Sequence, residues 1–196
     1  RYLYQIQTKF RDEPRAKSGL LRGKEFLMKD LYSFHEDMDD LETYYTKVLG
    51  SYERIFSRCE LKAICAQASG GTFSPFSHEF QVATPAGEDI IFYCPSCRFA
   101  RNREIMTQGE MCPNCQKPLE ELKTVEVGNV FKLGTKFSQP FDLTYRAAKG
   151  ESRLVHMGCY GIGVSRLMGV IAEVHHDEAG LIWPSECAPF SAHLLK

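Results

Sequence analysis

Several features are missing from this sequence, and each absence narrows the class of protein. No run of about 18 apolar residues occurs, so we predict no membrane-spanning helix and no membrane partner. The 24 basic residues balance 25 acidic ones, which excludes a strong overall field that would attract nucleic acid. Internal repeats and low-complexity segments are also absent, and the 43% hydrophobic content predicts a folded globular domain.

Cysteine, in contrast, is plentiful, with eight residues in the chain. Four of them form two Cys-x2-Cys pairs, Cys94 with Cys97 and Cys112 with Cys115. This spacing is typical of four thiolates that bind one tetrahedral Zn2+ and is not typical of a secreted disulfide framework. A closed four-sulfur site would be structural. The alternative is that both turns persist as reduced thiols without metal, and in either case we expect a reducing compartment.

Residues 2–10 and 25–34 alternate with the period of two that predicts β-strands. In the second strand, Met28, Asp30 and Tyr32 therefore share one face. The loop between the strands is basic, with six cations against two acids from position 9 to 24. It is either a solvated hairpin tip or a loop that binds polyphosphate through its arginines.

Two helices and further strands complete the predicted architecture. The pattern Ser33-x-x-Glu36 predicts the start of a helix, and apolar residues from Leu41 to Phe56 keep helical spacing over about four turns. A second helix is predicted over 162–174. The remaining strand-like pieces lie around 80–82, 89–93, 126–133 and 142–145. Grouped strands with segregated helices indicate an α+β fold, an antiparallel β-sheet flanked by helices with a small Cys-rich flap.

Five parts of the chain resemble, in order, the class II aminoacyl-tRNA synthetases, and specifically the bacterial-type, mitochondrial-like prolyl-tRNA synthetases. Phe10-Arg11-Asp12-Glu13 with its following strand resembles motif 2, and the glycine-rich stretch before Arg166 resembles motif 3. The segments that carry the resemblance are 10–13, 25–35, 70–71 with 77–80, 134–138, and 158–166 continued by 175–178 and 182–184. The resemblance implies a class II catalytic core in two parts, 1–93 and 123–196, separated by a zinc-ribbon-like insertion, 94–122.

The resemblance also implies an activity, proline–tRNA ligation with ATP and Mg2+. It implies that Arg11 holds the α-phosphate of ATP, that Glu13 places the adenine side, and that Arg166 covers the adenine and reaches the γ-phosphate. Positioned cations of this kind stabilise the charge that develops during adenylate formation. The further ATP contacts that it implies are Thr135, Lys136 and Gly163. From the residues alone, Arg166 could instead be a surface arginine of an amphipathic helix, and Lys136 could merely be solvated.

A proline pocket is implied on the motif 2 side of the core. By resemblance its lining is Met28, Asp30, Tyr32, Phe80 and Cys159. Apolar and aromatic walls suit the pyrrolidine ring, and a carboxylate suits its secondary ammonium. Ordinary core packing is the alternative for Met28 and Tyr32, and a structural role is the alternative for His78.

The chain departs from the family in ways that predict a core fragment. Motif 1, which forms the family's dimer interface, is missing, as is the loop expected to bind the substrate ammonium. We therefore expect this fragment alone to be inactive and the full-length protein to be a homodimer. The 54 residues between Phe80 and Thr135 leave no room for the bacterial editing insertion, so no editing is predicted.

The predicted partners are tRNA(Pro), ATP and L-proline. The predicted location is the mitochondrial matrix, with the bacterial cytoplasm as the alternative, because the shortened form resembles mitochondrial enzymes. Three alternatives to this function stay open: another class II synthetase (Thr, His, Ser or Gly), a catalytically silent paralogue that acts as a binding subunit, and a zinc-ribbon nucleic-acid module.

Overall fold

A computed structural model of the chain describes residues 1–107, 109–192 and 194. The last predicted part of the core, 123–196, therefore includes positions 193, 195 and 196, which lie outside the described residues. The helices are α1 (Met38–Arg58) and α2 (Val164–Val174). The strands are β1 (Tyr2–Phe10), β2 (Glu25–His35), β3 (Ile64–Ser69), β4 (Phe76–Ala83), β5 (Asp89–Tyr93), β6 (Ala100–Asn102), β7 (Glu120–Gly134), β8 (Thr144–Arg146), β9 (Ser152–Leu154), β10 (His156–Gly163), β11 (His176–Asp177) and β12 (Gly180–Leu181).

Within the described residues, eight strands form one sheet in the order β1-β2-β10-β7-β4-β3-β6-β5, with an additional pairing of β5 to β7. Every pairing in it is antiparallel except the single parallel bridge between Gln67 and Arg101. The predicted α+β fold with an antiparallel sheet is therefore confirmed. The β1–β2 hairpin was predicted from alternation, whereas β3, β6 and β10 were not predicted.

The start of helix α1 was predicted wrongly. Asp37, and not Ser33, caps the helix, because its side chain accepts a hydrogen bond from the backbone N–H of Asp40. Ser33 remains in β2, and its hydroxyl bonds the Tyr160 hydroxyl at 2.8 Å. Cross-strand pairing therefore outweighs the local capping pattern. Helix α2 also begins two residues later than predicted, because position 162 still belongs to β10.

The main hydrophobic core of the described residues lies between the sheet and the helices. Along α1, side chains at helical spacing are buried against the sheet: Leu41, Tyr45, Val48, Tyr52 and Phe56. From α2, Val170 and Ile171 join this core. No helix in the described part of the chain combines the length and the apolar character needed to cross a membrane.

The packing of α1 against one face of the sheet leaves the opposite face available for a binding site. The Lys29 ammonium donates to the Tyr52 hydroxyl of α1 at 2.6 Å, so Lys29 points toward the helix. Its neighbours Met28 and Asp30 therefore lie on the other face, as their alternation predicted. A Cβ on Gly161 would lie 2.7 Å from the Met28 Cε, so a larger residue in β10 would displace the end of the Met28 side chain on this face. The cavity that Met28 lines therefore lies on the face of the sheet opposite α1.

Candidate active site on the sheet face opposite helix α1

The end of β1, the start of β2, the middle of β7 and the end of β10 surround a cavity of about 120 Å3 beneath the β1–β2 loop. Five of the residues predicted for the site line it: Arg11, Glu13, Met28, Gly163 and Arg166. Their positions in the sequence are far apart, and antiparallel pairing of β2 with β10 brings them together. The arrangement is a polar cleft with cations on two sides.

Arg11 follows β1 and is fixed through its backbone, because its N–H donates to the Lys24 carbonyl at 2.8 Å. Its guanidinium carbon lies 5.1 Å from the centroid of the Phe26 ring, and its Nη2 contacts the Met28 sulfur at 3.8 Å. These contacts orient the side chain without neutralising its charge. The fork of Arg11 is therefore available to an anionic ligand.

Glu13 is an ionised acceptor at the edge of the cavity. Its carboxylate accepts from the backbone N–H of Arg15 at 2.8 Å and from the Arg22 guanidinium at 3.1 Å. The amide of Arg15 and then the charge of Arg22 lower the pKa of Glu13. Both partners belong to the β1–β2 loop, so Glu13 also helps to shape that loop.

Arg166 lies in α2 and reaches across the cavity. Its Nε donates to the Leu21 carbonyl at 2.9 Å and its Nη1 to the Glu126 carbonyl at 3.1 Å. The same Nη1 is 3.6 Å from the Glu126 carboxylate. Burial raises the pKa of Glu126, and the positive charge of Arg166 opposes this shift. Arg166 is therefore a part of the cavity wall and not a free surface arginine.

Further along the same face, Asp30 is buried and forms an ion pair with the Lys9 ammonium. Tyr32 and Cys159 are cross-strand partners beside it. Burial raises the pKa of Tyr32 to about 12 and also raises the pKa of Cys159. Both side chains are therefore uncharged at neutral pH. The wall beside Asp30 is neutral, and Asp30 already has a cationic partner.

The four paired cysteines converge at the other end of the molecule. Their sulfur atoms all lie within 4.8 Å of one another, and the Cys94–Cys115 and Cys97–Cys112 sulfurs are each 3.5 Å apart. Four sulfurs at about 2.3 Å from a tetrahedral ion would be roughly 3.8 Å apart, so the cluster could hold a zinc ion.

The two cysteine turns repeat the same backbone geometry. The N–H of Cys94 donates to the Phe99 carbonyl and that of Cys112 to the Lys117 carbonyl. At the fourth position after the first cysteine, Arg98 and Gln116 both have a left-handed φ, 61° and 57°. Two equivalent turns of this kind point their thiols at a common centre.

Comparison with known proteins agrees with this architecture. The model of the tRNA synthetase class II core domain (G, H, P, S and T) matches residues 1–175. The chain belongs to this class II synthetase core family.

The relatives of this synthetase core are longer than the chain. It is 45% identical over 195 residues to the probable mitochondrial proline--tRNA ligase of Rattus norvegicus, covering 98% of this chain and 41% of that protein. It is 39% identical over 209 residues to the proline--tRNA ligase of Anaplasma marginale, covering 98% of the chain and 49% of that protein. The chain thus spans less than half the length of these two relatives.

A solved structure shares the fold of the core. Prolyl-tRNA synthetase from Cryptosporidium parvum, complexed with L-proline and AMP, superposes with a TM-score of 0.71. The alignment covers 96% of this chain and 32% of that one, at 19% sequence identity. This likeness supports the class II fold of the sheet and helices.

Not every residue predicted for the synthetase site is brought to the cavity, and Phe80 is the main exception. Its side chain is fully buried and lies 5.4 Å from the Tyr52 ring and 5.2 Å from the Phe56 ring. It therefore belongs to the core on the α1 side, and the prediction that it lines the proline pocket is wrong. His78 points to the same side, where it bonds the Tyr45 hydroxyl at 2.8 Å.

Thr135 and Lys136 are also separate from the cavity around Arg11. They follow β7 in a turn in which the Thr135 carbonyl accepts from the N–H of Gln139 at 2.9 Å. The Lys136 ammonium donates to the Thr72 carbonyl, and Lys136 lines a different groove beside Phe73. The structure thus does not bring these two predicted ATP contacts together with Arg11, Glu13 and Arg166.

A buried polar cluster on the cavity-bearing face was not predicted. The Glu79 carboxylate accepts hydrogen bonds from the side-chain amides of Gln81, Asn102 and Asn129, at 2.9, 3.2 and 3.2 Å. Burial and then the negative charge of Glu126 raise the pKa of Glu79 to about 7. The alternation of polar Glu79 and Gln81 around apolar Phe80 was the available sequence signal.

Proposed function

We propose that the full-length protein is a prolyl-tRNA synthetase, which activates L-proline with ATP and transfers it to tRNA(Pro). The observation that carries this proposal is the convergence of Arg11, Glu13 and Arg166 on one cavity of a class II core. Proline is the amino acid proposed because the relatives that match nearly the whole chain are named proline--tRNA ligases. The solved prolyl-tRNA synthetase that shares the fold is complexed with L-proline and AMP.

In the first step, a carboxylate oxygen of proline attacks the α-phosphorus of ATP, and pyrophosphate leaves. We assign Arg11 to the α-phosphate, because its fork has no carboxylate partner among the described residues. A fixed guanidinium stabilises the charge that spreads over the phosphate oxygens in the transition state. No side-chain base is required, since the attacking carboxylate is already ionised.

Glu13, Gly163 and Arg166 would position the nucleotide. Glu13 offers an ionised acceptor to the amino group of adenine, and its lowered pKa keeps it ionised at neutral pH. Arg166 would cover the base and reach the γ-phosphate. Gly163 precedes α2 at the cavity wall, where the absence of a side chain permits a close backbone approach.

For proline itself we propose a site formed by Met28, Asp30, Tyr32 and Cys159. The neutral Tyr32 and Cys159 and the apolar Met28 suit the pyrrolidine ring. Asp30 suits the secondary ammonium, which would compete with Lys9 for its carboxylate. Thr135 and Lys136 remain proposed ATP contacts only if their turn moves toward the cavity.

Two metal ions belong to the proposal. Mg2+ would supply charge neutralisation on the triphosphate, and the half-buried Glu126 carboxylate beside Arg166 is an oxygen donor that lines the cavity. Zn2+ would be structural and would be bound by the four clustered thiolates of Cys94, Cys97, Cys112 and Cys115, whose separations suit a tetrahedral ion.

The remaining parts of the proposal concern the whole protein. We propose a homodimer formed through segments outside this chain, no editing of mischarged alanyl-tRNA(Pro), and a mitochondrial matrix location. The location rests on the names of the mammalian and yeast relatives, and bacterial relatives make the bacterial cytoplasm the alternative. The core is divided as 1–93, the cysteine insertion 94–122, and 123–196.

Amino-acid-dependent pyrophosphate exchange by the full-length protein tests the function. We expect exchange with proline to exceed by far that with threonine, histidine, serine or glycine, the other possibilities for a class II synthetase of this kind. Exchange that depends on one of those four amino acids would mean that the protein activates that amino acid, and not proline, by the same reaction. No exchange with any of them would favour a silent paralogue, and nucleic-acid binding lost on chelation would favour a zinc-ribbon module.

A further inference from the structure

Two half-buried cysteines outside the flap, Cys59 and Cys187, come together in the folded chain. Both pack against the hydrophobic core that the sheet forms with the helices. Their thiols are within hydrogen-bonding contact of each other, although β3 to β12 and α2 lie between them in the sequence. Neither cysteine belongs to the sulfur cluster of the flap or lines the cavity between Arg11 and Arg166. The pair is therefore separate from the proposed zinc site and from the proposed catalysis.

The backbone at Cys59 is fixed by the end of α1. Cys59 follows the last residue of the helix, and its N–H donates to the Ile55 carbonyl at 3.2 Å. Glu60 has a left-handed φ of 54°, and the N–H of Leu61 donates back to the Phe56 carbonyl at 2.9 Å. This is the hydrogen-bond pattern of a Schellman cap. Because Phe56 and Leu61 are buried, the cap holds Cys59 in one position against the core.

The chain around Cys187 is held less firmly. The N–H groups of Cys187 and Ala188 both donate to the Pro184 carbonyl at 2.9 Å, which forms a single turn. Beside the thiols, Arg58 Nη2 lies 3.3 Å from a Glu186 carboxylate oxygen, and both of these side chains are mostly exposed. Exposed ion pairs contribute little to stability, because water screens them. Local opening of this turn therefore costs little and admits a small oxidant to the thiols.

The surroundings of Cys59 determine how the pair reacts. Burial, and then the neighbouring Cys187 thiol, raise the pKa of Cys59 to about 11. The thiolate is the nucleophile, so Cys59 stays protonated and reacts slowly at neutral pH while the turn is closed. Because the turn that opens carries Cys187, this thiol meets an oxidant before Cys59 does.

We propose that Cys59 and Cys187 form an oxidation site at which a hydroperoxide such as hydrogen peroxide produces an intramolecular disulfide. The Cys187 sulfur attacks one peroxide oxygen, the O–O bond breaks, and a sulfenic acid and one water result. The Cys59 sulfur then attacks the sulfenic sulfur, and the sulfenic oxygen leaves as a second water. The two thiols lose two electrons to the peroxide, and their two protons end in the two waters. The inference does not rest on the proposed function.

The disulfide fastens the turn at 184–188 to the end of α1 and closes a loop that contains β3 to β12 and α2. A bond that closes a long loop stabilises the folded protein by restricting the unfolded chain. In the reducing compartment that the cysteine pattern predicts, disulfides are transient, because small thiols reduce them by exchange. Oxidation therefore fixes the segment that follows α2, and reduction releases it.

Hydrogen peroxide treatment of the zinc-loaded, full-length protein tests the site. After alkylation of the remaining thiols and digestion without reductant, mass spectrometry should find the Cys59 peptide linked to the Cys187 peptide. The midpoint of thermal unfolding should rise by roughly 5 °C on oxidation and fall again with dithiothreitol. Amides of residues 184–188 should exchange more slowly with solvent in the oxidised protein than in the reduced protein.

Two serine variants separate the pair from cysteine oxidation in general. Cys187→Ser should abolish the linked peptide, the rise in the unfolding midpoint and the slower exchange at 184–188. Cys65→Ser is the matched control, since Cys65 is also half-buried and burial raises its pKa to about 11, whereas the ionisable group beside it is Glu53. That variant should respond to peroxide as the parent does.

The linked peptide decides the outcome. Positions 59 and 187 that are both still alkylated, after the same treatment has oxidised a denatured sample, would overturn the inference. Linkage of Cys59 to a cysteine other than Cys187 would also overturn it. If Cys187→Ser fails to fold, the linked peptide of the parent decides alone. None of these measurements uses ATP or proline, so their result is independent of whether the proposed function holds.

Discussion

The sheet that packs around α1 and the cysteine flap (residues 94–122) differ in what stabilises them. Phe80 and Tyr160 of the sheet pack with Phe56 of α1 in a continuous core, and each of these side chains is almost fully buried. Next to the flap, the described residues form a separate small core with three buried members, of which Ile91 is the largest. The flap brings four thiols together instead. We therefore expect apolar burial to stabilise the first region, and we expect the second to depend more on its sulfur centre.

The two regions also carry different candidate sites, the cavity on the sheet and the cysteine cluster in the flap. The proposed chemistry depends on the sheet side, where Arg11 and Arg166 meet. None of the flap residues that the structure describes lines the cavity between them. The regions are joined by the pairing of β6 with β3 and β5 and by the polar cluster at Glu79, where Asn102 of β6 donates to the Glu79 carboxylate. Four predictions test this division.

The largest effect is expected from Phe80→Ala in the full-length protein. It removes a fully buried ring from the core against α1, which should lower the free energy of unfolding of this domain by about 3–5 kcal/mol. Hydrogen exchange of β4 and β7 amides measures the loss. Phe141→Ala is the control, since this side chain is 82% exposed. Equal effects of the two variants would contradict the placement of Phe80.

Arg11→Ala should have the next largest effect, and on activity instead of stability. Loss of a transition-state charge contact should reduce proline-dependent pyrophosphate exchange by roughly 100-fold or more. Arg11→Lys should rescue little, because an ammonium cannot reproduce the guanidinium fork. The unfolding transition should stay close to that of the parent. Near-normal exchange by the alanine variant would remove Arg11 from the proposed mechanism.

The pH dependence of stability tests the junction at Glu79. The pKa of Glu79 is about 7 in the folded protein and 4.5 for an ordinary glutamate, so the folded state binds this proton more tightly. Its contribution to stability is therefore present below about pH 4.5 and is lost as the pH rises to about 7.

Glu79→Gln should remove this dependence, which we put at on the order of 1–3 kcal/mol across that interval. Unfolding of parent and variant at pH 5 and pH 8 measures the difference, with Glu121→Gln, at an exposed glutamate of β7, as the control. A parent and a Glu79→Gln variant with the same pH slope would show that the carboxyl is not perturbed by burial.

Metal removal should affect the sheet least. The purified full-length protein should contain about one zinc per chain, and chelation should increase hydrogen exchange in residues 94–115 while β10 stays protected. Proline-dependent exchange should change by less than about 2-fold, since the flap does not line the cavity. Protein prepared with zinc under reducing conditions and found metal-free would contradict the zinc site. Loss of protection in β10 would contradict the independence of the two regions.

The sequence alone determined the features that depend on local periodicity and spacing. Alternation in residues 2–10 and 25–34 defined the two hairpin strands and placed Met28, Asp30 and Tyr32 on one face. The Cys-x2-Cys spacing identified the four clustered thiols. The order of the motif-like segments indicated the family that the core-domain model matches over residues 1–175.

The tertiary structure alone decided where distant segments meet. Strand β10 was missed because its glycines resemble a loop locally, and only its pairing with β2 and β7 makes it a strand. Phe80 was misplaced because one residue of register reverses a side chain between the site and the core. The contact of Glu88 with Arg22 spans 66 positions, and no local pattern specifies it. Such contacts arise from the packing of the whole sheet, so only the folded chain reveals them.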